Sequence, residues 1–316
     1  SMPDTTIMDH IVLEARSGGA LSLSALETLG GSNVSVSGGR IDLPSLAEAT
    51  GNGLSVNYIS VTGDGVLDAP LLSSLHNVRL SAANGGQLVL PSLATFSFQP
   101  TCTYHNPIQS QGSSETAGSL VSLPVLETFS YDVGSCYYLG FSVDASSGGI
   151  IELPALTTVE LNPAQTAQNY FNVSGAGSLL DLSGLPSLGT RLSINASGGG
   201  TVLLDGLTEL AGAVSIGGTV HMPNLVTLMG DVSVSGGSEV TLPNLAVLGG
   251  SSQQSLSVSG EGSVLTLPDT TSVTNTSLTA NSGGELSLPS LVTLSGSDVS
   301  VSGGRIDLPS LAEATG

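Results

Sequence analysis

The sequence predicts an all-β fold: a single-stranded parallel β-helix, or β-solenoid, of about 13 coils of about 22 residues each. A motif of the rough form Gly-Gly-x-Leu-x-Leu-Pro-x-Leu-x-x-Leu-x-Gly-x-Val-Ser-Val-Ser recurs about every 20–30 residues. Glycine is abundant, at 42 of 316 residues, but lacks the Gly-X-Y period of collagen, which points to turns. Aromatic residues make up only 3 %, so Leu, Val, Ile and Ala must fill the core.

The first side of each predicted coil is a short strand in which two inward apolar residues flank an outward residue. In chain order these strands are 21–23, 41–43, 66–69, 88–90, 121–123, 151–153, 180–182, 202–204, 220–222, 240–242, 265–267, 286–288 and 306–308.

The motif also predicts how each coil turns and closes. A proline such as Pro44 often follows the first strand and ends it, since proline lacks an amide donor. The next Leu-x-x-Leu forms a short second side, and an alternating segment such as 34–37 forms the third. The preference for right-handed parallel crossovers favours a right-handed coil. A leucine-rich horseshoe is the alternative, but it requires an Asn ladder where this chain has proline.

A longer repeat overlies the short one. Residues 18–51 and 283–316 align without a gap, and 28 of the 34 positions are identical. We therefore predict one continuous solenoid over 18–316, with a super-repeat that restarts at 283. The chain itself is expected to be a fragment of a longer tandem array. Residues 1–17 are interpreted as a tag remnant, Ser1-Met2, followed by an N-terminal strand or cap.

The repeats resemble those of receptor L-domain-like proteins and related bacterial surface β-helices. The residues that carry the resemblance are the recurring Leu-Pro-x-Leu-x-x-Leu-x-Gly-x-Val-Ser-Val segments, and it covers nearly all of 18–316. The chain departs from the receptor domains in having more coils and no cysteine-rich modules. The resemblance implies an exported protein, secreted or at the cell surface, and carries over no functional residue.

Charge excludes some classes of partner. The chain has 25 acidic residues, five arginines and no lysine, for a net charge of −20. Binding a phosphate backbone requires clustered Lys or Arg, so no nucleic-acid partner is expected. No apolar run reaches 18 residues, so no membrane insertion is expected. The acidity indicates a soluble surface, and the alternative is that the acidic residues recruit calcium. No other cofactor and no metal site are predicted.

The pattern breaks over 96–171, which we predict to be a loop-rich zone. Loops are predicted over 99–119, 131–141 and 162–171, and all three should project from the same corner of three consecutive coils. Loops on a rigid solenoid often carry function. Cys102 and Cys136 lie in the first two loops, and because adjacent coils are ~4.8 Å apart, we predict a disulfide between them. A disulfide would indicate an oxidising compartment.

These loops supply the candidate ligand-binding residues. We predict an aromatic patch that stacks on sugar rings, with polar neighbours that bind hydroxyl groups. Alternatively, the phenylalanines at 96, 98, 129, 141 and 171 form a local core with the tyrosines at its rim. The candidate residues are Tyr104, His105, Asn106, Tyr131, Asp132, Tyr137, Tyr138 and Tyr170.

The sequence therefore predicts a non-catalytic structural or adhesive segment of a large repetitive cell-surface protein. Its expected partners are a glycan or a cell-surface protein at the loops, and other copies through the open solenoid ends. The alternative is a secreted carbohydrate-active enzyme, either a polysaccharide lyase or a glycosidase. A glycosidase requires two carboxylates about 5–10 Å apart, and Glu152 and Asp181 are the best pair. We assign no catalytic residue.

Overall fold

A computed structural model describes residues 5–52, 57–99, 105–113, 118–132, 134, 136 and 138–316. The chain divides into two compact units, with the boundary between Leu182 and Ser183. Both units consist of short strands in parallel sheets, and together they form about 13 turns of about 22 residues. The predicted all-β solenoid is therefore confirmed. Among the described residues, no helix is long and apolar enough to cross a membrane.

The first unit contains 21 strands. They are β1 Ile7–Asp9, β2 Val12–Arg16, β3 Ala20–Ser22, β4 Thr28–Gly30, β5 Asn33–Ser37, β6 Arg40–Asp42, β7 Glu48–Thr50, β8 Asn57–Thr62, β9 Val66–Asp68, β10 Ser74–His76, β11 Val78–Ala83, β12 Gln87–Val89, β13 Thr95–Phe98, β14 His105–Gln111, β15 Leu120–Ser122, β16 Thr128–Tyr131, β17 Phe141–Ser146, β18 Ile150–Glu152, β19 Thr158–Leu161, β20 Asn169–Ser174 and β21 Leu179–Asp181.

In the first unit, each strand from β1 to β18 pairs with the strand three places further along the chain, which gives three sides. Side 1 contains the Leu-x-Leu strands from β3 to β21, side 2 the short strands from β1 to β19, and side 3 the longer strands from β2 to β20. The pairing is in register, so Val34 stacks on Ile59 and Ile41 on Leu67. Since strand residues alternate between faces, apolar columns from each side point into the coil, and side 3 contributes two of them, at Val34 and Val36 on β5.

The second unit contains 17 strands. They are β22 Ser187–Leu188, β23 Leu192–Leu203, β24 Glu209–Leu210, β25 Ala213–His221, β26 Thr227–Leu228, β27 Asp231–Val234, β28 Glu239–Thr241, β29 Val247–Leu248, β30 Gln254–Ser259, β31 Val264–Thr266, β32 Ser272–Thr274, β33 Thr276–Asn281, β34 Glu285–Ser287, β35 Thr293–Ser295, β36 Asp298–Ser302, β37 Arg305–Asp307 and β38 Glu313–Thr315.

The second unit has the same three sides. Its seven side 2 strands run from β22 to β38, and its later side 1 strands are β28, β31, β34 and β37. Strands β23 and β25 are long because each covers side 3 and side 1 in one element, with a register shift between Ser197 and Thr201. Glycines at 198–200 lie at this shift, and they let the chain turn the corner within one extended strand.

The Leu-Pro-x-Leu segment forms the corner between sides 1 and 2. In the second coil, the backbone amide of Leu46 donates to the carbonyl of Leu43 at 3.2 Å, which closes a β-turn with Pro44 at its second position. Both leucines are buried. Proline therefore ends the side 1 strand as predicted, and the same turn brings the next leucine into the core.

The N-terminal strands belong to the solenoid. β1 pairs in parallel with β4, and β2 pairs with β5 so that Leu13 stacks on Val34. The strands at 7–16 therefore pair into the same parallel sheets as the coils that follow.

The structure differs from the predicted loop over 99–119. Residues 105–111 form β14, which pairs with β11 and β17 on side 3. The pattern was missed because β14 has only one aliphatic inward residue, Ile108. Its next inward position holds Ser110, which is fully buried and donates a hydrogen bond to the carbonyl of Ser119 at 2.9 Å. A satisfied hydroxyl thus replaces the usual valine.

The aromatic residues of this zone form part of the core. Phe129 and Tyr131 pack their rings against Phe141, at centroid distances of 5.2 and 5.0 Å, and Phe141 contacts Phe171 at 5.7 Å. All five phenylalanines are at most 1 % exposed, as the local-core alternative predicts. Larger rings therefore fill the coil where the corners are widened by longer connections.

We expect Phe141→Ala to destabilise the first unit by about 3–5 kcal/mol, because it leaves a cavity among three aromatic rings. Phe141→Leu, which keeps most of the volume, should cost less. Thermal and urea unfolding followed by circular dichroism measure both changes. Equal stability of Phe141→Ala and the parent would contradict this packing.

Candidate functional site

The candidate site is the corner between sides 2 and 3 in three consecutive coils. It is here called the loop corner, and its described residues are 99, 132, 134, 136, 138–140 and 162–168. The preceding strands β13, β16 and β19 pair in register, with Phe98 beside Tyr131 and Tyr131 beside Leu161. The three connections therefore leave the same edge of side 2, as predicted.

Polar side chains form a ladder at the start of these connections. Asn162 donates from Nδ2 to Oδ1 of Asp132 at 2.6 Å, and Gln99 donates from Nε2 to Oδ2 at 3.4 Å. The amide of Gly134 also donates to Oδ1 of Asp132, at 2.9 Å. The exposed carboxylate of Asp132 is thus held between two amide side chains from neighbouring coils.

These hydrogen bonds stabilise the charged form of Asp132. The side-chain hydrogen bond from Asn162, followed by the backbone hydrogen bond from Gly134, lowers the pKa of Asp132 below its ordinary value of 3.8, while desolvation opposes the shift. The loop corner therefore carries a fixed negative charge at neutral pH, which suits hydrogen bonding to ligand hydroxyl groups.

Buried amide side chains connect the loop corner to the core. Asn169 is fully buried, and its Oδ1 accepts from the backbone amide of Phe141 at 3.0 Å and from Nε2 of Gln165 at 3.0 Å. Gln165 also donates to the carbonyl of Leu139 at 2.8 Å. These bonds fix the second and third connections to each other, so the described part of the corner has a defined shape.

The predicted ligand-binding residues fall into different environments. Tyr138 is 70 % exposed at the corner, and Asp132 is also exposed. Asn106 on β14 and Tyr170 on β20 are half-buried. Tyr131 is only 1 % exposed and donates its hydroxyl to the carbonyl of Gly140 at 3.1 Å. Tyr131 therefore belongs to the aromatic core, and we do not include it in the binding surface.

The other predicted residues lie outside the described part of the chain. These are Tyr104 and Tyr137, and the side chain of His105, whose backbone belongs to β14. Cys102 lies outside it as well. Cys136 is buried, and no free cysteine is found among the described residues. The Cys102–Cys136 disulfide stays a prediction.

Sequence reasoning missed Gln99, Asn162 and Asn169. A signal for the first two was present: each directly follows the side 2 strand of its coil, in the same position as Asp132. Stacked coils place matching positions side by side, so these three residues form one column. Asn169 gave no such signal, because its role depends on the path of the connection before β20.

The carboxylates considered for catalysis are close neighbours. Glu152 and Asp181 are register partners on β18 and β21 of side 1, where both are half-buried. They lie on a different side from the loop corner. Among the described residues, no group of three or more His, Cys, Asp or Glu side chains is placed to hold a metal ion.

We expect Asn162→Ala to raise the pKa of Asp132 towards 3.8, because it removes the larger of the two stabilising hydrogen bonds. A lowered pKa in the folded state stabilises the protein above the unfolded-state pKa, and this contribution is lost as pH falls through the folded-state pKa. NMR titration of the carboxyl carbon of Asp132 measures the change. Gln99→Ala is the control, since its hydrogen bond is long and should matter less.

Comparison with known proteins gives no relative for this chain. No protein-family model, no curated protein and no solved structure matches it.

Proposed function

We propose that this chain is a non-catalytic structural and adhesive segment of a large repetitive extracellular protein. The observation that carries the proposal is the structural identity of the two copies of the super-repeat. At an offset of 265 residues, β5, β6 and β7 have the same bounds as β36, β37 and β38. The isolated antiparallel bridge from Arg16 to Gly38 also recurs, from Asn281 to Gly303.

A fold in which each sequence repeat forms another coil is suited to a protein that grows by adding repeats. Each coil buries its apolar side chains only against the coils beside it, so coils can be added without a new core. The resemblance to receptor L-domain-like repeats and the predicted disulfide support a secreted or cell-surface location. The net charge of −20 and the absence of lysine fit a repetitive protein whose surface faces water.

We further propose that successive copies stack end to end. In the first unit, β8, β9 and β10 cover the coil formed by β5, β6 and β7. The N-terminal strands β2, β3 and β4 have the same spacing as β8, β9 and β10: residues 12–30 match 58–76 without a gap. The N-terminal coil of one copy therefore has the geometry to cover the C-terminal coil of another.

Burial supports this interface. Val34 and Val36 on β5 are 0 % and 1 % exposed beneath β8, whereas their counterparts Val299 and Val301 on β36 are 47 % and 53 % exposed. The valines of this coil are therefore buried only where a further coil covers them, as β8 covers β5.

Sedimentation velocity at increasing protein concentration should show association of the parent. The double variant Val299→Lys/Val301→Lys should remain monomeric, because two charges would enter the contact. Val226→Lys/Val247→Lys is the matched control, since these valines are also exposed, at 41 % and 50 %, but Val247 lies on side 2 and Val226 directly precedes a side 2 strand. A parent that stays monomeric at all concentrations would contradict end-to-end stacking.

The adhesive function is assigned to the loop corner, with a glycan as the ligand. The exposed ring of Tyr138 offers a surface for a sugar ring, and Asp132 with its amide neighbours offers acceptors and donors for hydroxyl groups. The buried hydrogen bonds of Asn169 hold this surface in place before a ligand arrives, which lowers the entropic cost of binding.

A glycan-array screen tests this assignment. We expect the parent to bind a glycan and Tyr138→Ala to bind it roughly tenfold more weakly, because truncation of an aromatic anchor costs more than about 1 kcal/mol. Leu71→Ala is the control, since Leu71 is 57 % exposed and lies outside the loop corner. Equal binding by the two variants would show that the loop corner is not the glycan site.

A further inference from the structure

A small pocket lies on the outer face of side 3 in the first unit, and none of its lining residues belongs to the loop corner. Its volume is about 210 Å³, and it is lined by Tyr58, Ser60, Arg79, Ser81 and Gln109. An aromatic ring, a guanidinium group, two hydroxyls and an amide thus converge on one cavity. This combination of a few polar groups in a concave site is typical of ligand binding.

Three neighbouring strands position these residues. Tyr58 pairs with Arg79 and Ser60 with Ser81 between β8 and β11, and Ser81 pairs with Gln109 between β11 and β14. Neighbouring strands lie ~4.8 Å apart, so the five side chains form two short columns. Their inward neighbours are buried in the core and fix the strands in place: Ile59, Leu80 and Ile108.

Arg79 is the exceptional residue of this pocket. Its Nε atom is buried and has no hydrogen-bond partner among the described residues, and no ion pair to Arg79 is found there. By contrast, Arg40 contacts Asp42 at 2.6 Å and Asp68 at 3.0 Å. A half-buried guanidinium without a carboxylate partner among the described residues indicates that an anion from outside completes the site.

The nearest carboxylate on this face is already occupied. Asp144 on β17 is the register partner of Gln109, but its Oδ1 accepts from Nδ2 of Asn172 at 2.8 Å and from the hydroxyl of Ser142. Asn172 also donates to the hydroxyl of Ser142 at 2.9 Å. Among the described residues that line the pocket, Arg79 is the charged one.

We propose that this pocket binds the carboxylate of an acidic sugar, such as a hexuronate unit of a polysaccharide. The planar guanidinium of Arg79 matches a carboxylate and donates two parallel hydrogen bonds to it. The ring and hydroxyl of Tyr58 and the polar groups of Ser60, Ser81 and Gln109 contact the sugar ring and its hydroxyls. The pocket is smaller than the 300–1,000 Å³ typical of drug-sized ligands, which suits a single ring.

This site goes beyond the proposed adhesive function and does not depend on it. It is lined by residues of side 3 rather than by loop-corner residues, and it requires a negative charge on the ligand. Loss of glycan binding at Tyr138 would leave this pocket unchanged, so the two proposals are tested separately.

NMR titration of the ¹⁵N-labelled chain tests the proposal with three probes. Methyl β-D-glucuronide and methyl β-D-glucoside differ only in the carboxylate, and sodium acetate supplies a carboxylate without a sugar. We expect the glucuronide to shift the amide signals of β8, β11 and β14 with a Kd of about 1 mM. The glucoside and acetate should bind at least about tenfold more weakly.

Variants then test whether Arg79 is the residue that binds the carboxylate of the glucuronide. Arg79→Gln should weaken glucuronide binding by roughly tenfold to a hundredfold, as expected for a lost charge-assisted hydrogen bond. Arg79→Lys, which keeps the charge but loses the planar fork, should bind with intermediate affinity. Arg305→Gln makes the same charge change at an arginine that is paired with Glu285 and Asp307, and it should bind like the parent. Unfolding curves check that each variant folds.

Three results would overturn the proposal. The first is a parent that does not bind the glucuronide. The second is equal binding of acetate or of the glucoside, which would show that no acidic sugar is recognised. The third is equal loss in Arg79→Gln and Arg305→Gln, which would indicate a general charge effect. If Arg79→Gln fails to fold, Tyr58→Phe, which removes only a hydroxyl, must weaken glucuronide binding for the proposal to stand.

Discussion

The structure depends on the in-register stacking of parallel strands from one coil to the next. Apart from turns at the corners, the described strands bond their amide and carbonyl groups to the coils before and after them. The same register sets the core, because each inward side chain packs on the residue in the matching position of the next coil. The contrast between the buried Val34 and the exposed Val299, which occupy equivalent positions, shows how far burial depends on the neighbouring coil.

This constraint limits where the coil can vary. A residue inserted within a strand would reverse every following side chain, whereas residues inserted at a corner leave the ladders unchanged. The longer connections of the first unit accordingly lie at corners. Their polar groups then need partners, and the buried Asn169 and Gln165 supply them. The loop corner is thus both the variable part of the coil and a part with its own hydrogen-bond network.

The regular part of the fold could be predicted from the periodicity of the sequence. Alternation located the side 1 strands, proline located the corners, and the motif period located the coils, because each of these has a local cause. Periodicity did not locate β14, where Ser110 takes an inward position that normally holds an apolar residue. Tyr131 was wrongly expected at the surface, since the direction of a side chain at a widened corner depends on packing against Phe141 and Phe98. The pocket around Arg79 was missed for a related reason: its five residues belong to three coils and become neighbours only through the register.

The two proposed sites differ in their physical basis. At the loop corner, the charge of Asp132 is exposed and shared between amide groups, which favours neutral hydroxyl-bearing ligands. At Arg79 the net charge of −20 would be expected to repel an anion. However, Asp144 lies one strand from Gln109 and two strands from Arg79 on the same face, and its Oδ1 already accepts hydrogen bonds from Asn172 and Ser142. A carboxylate that reaches the guanidinium is therefore bound by directed hydrogen bonds rather than by the overall charge of the protein.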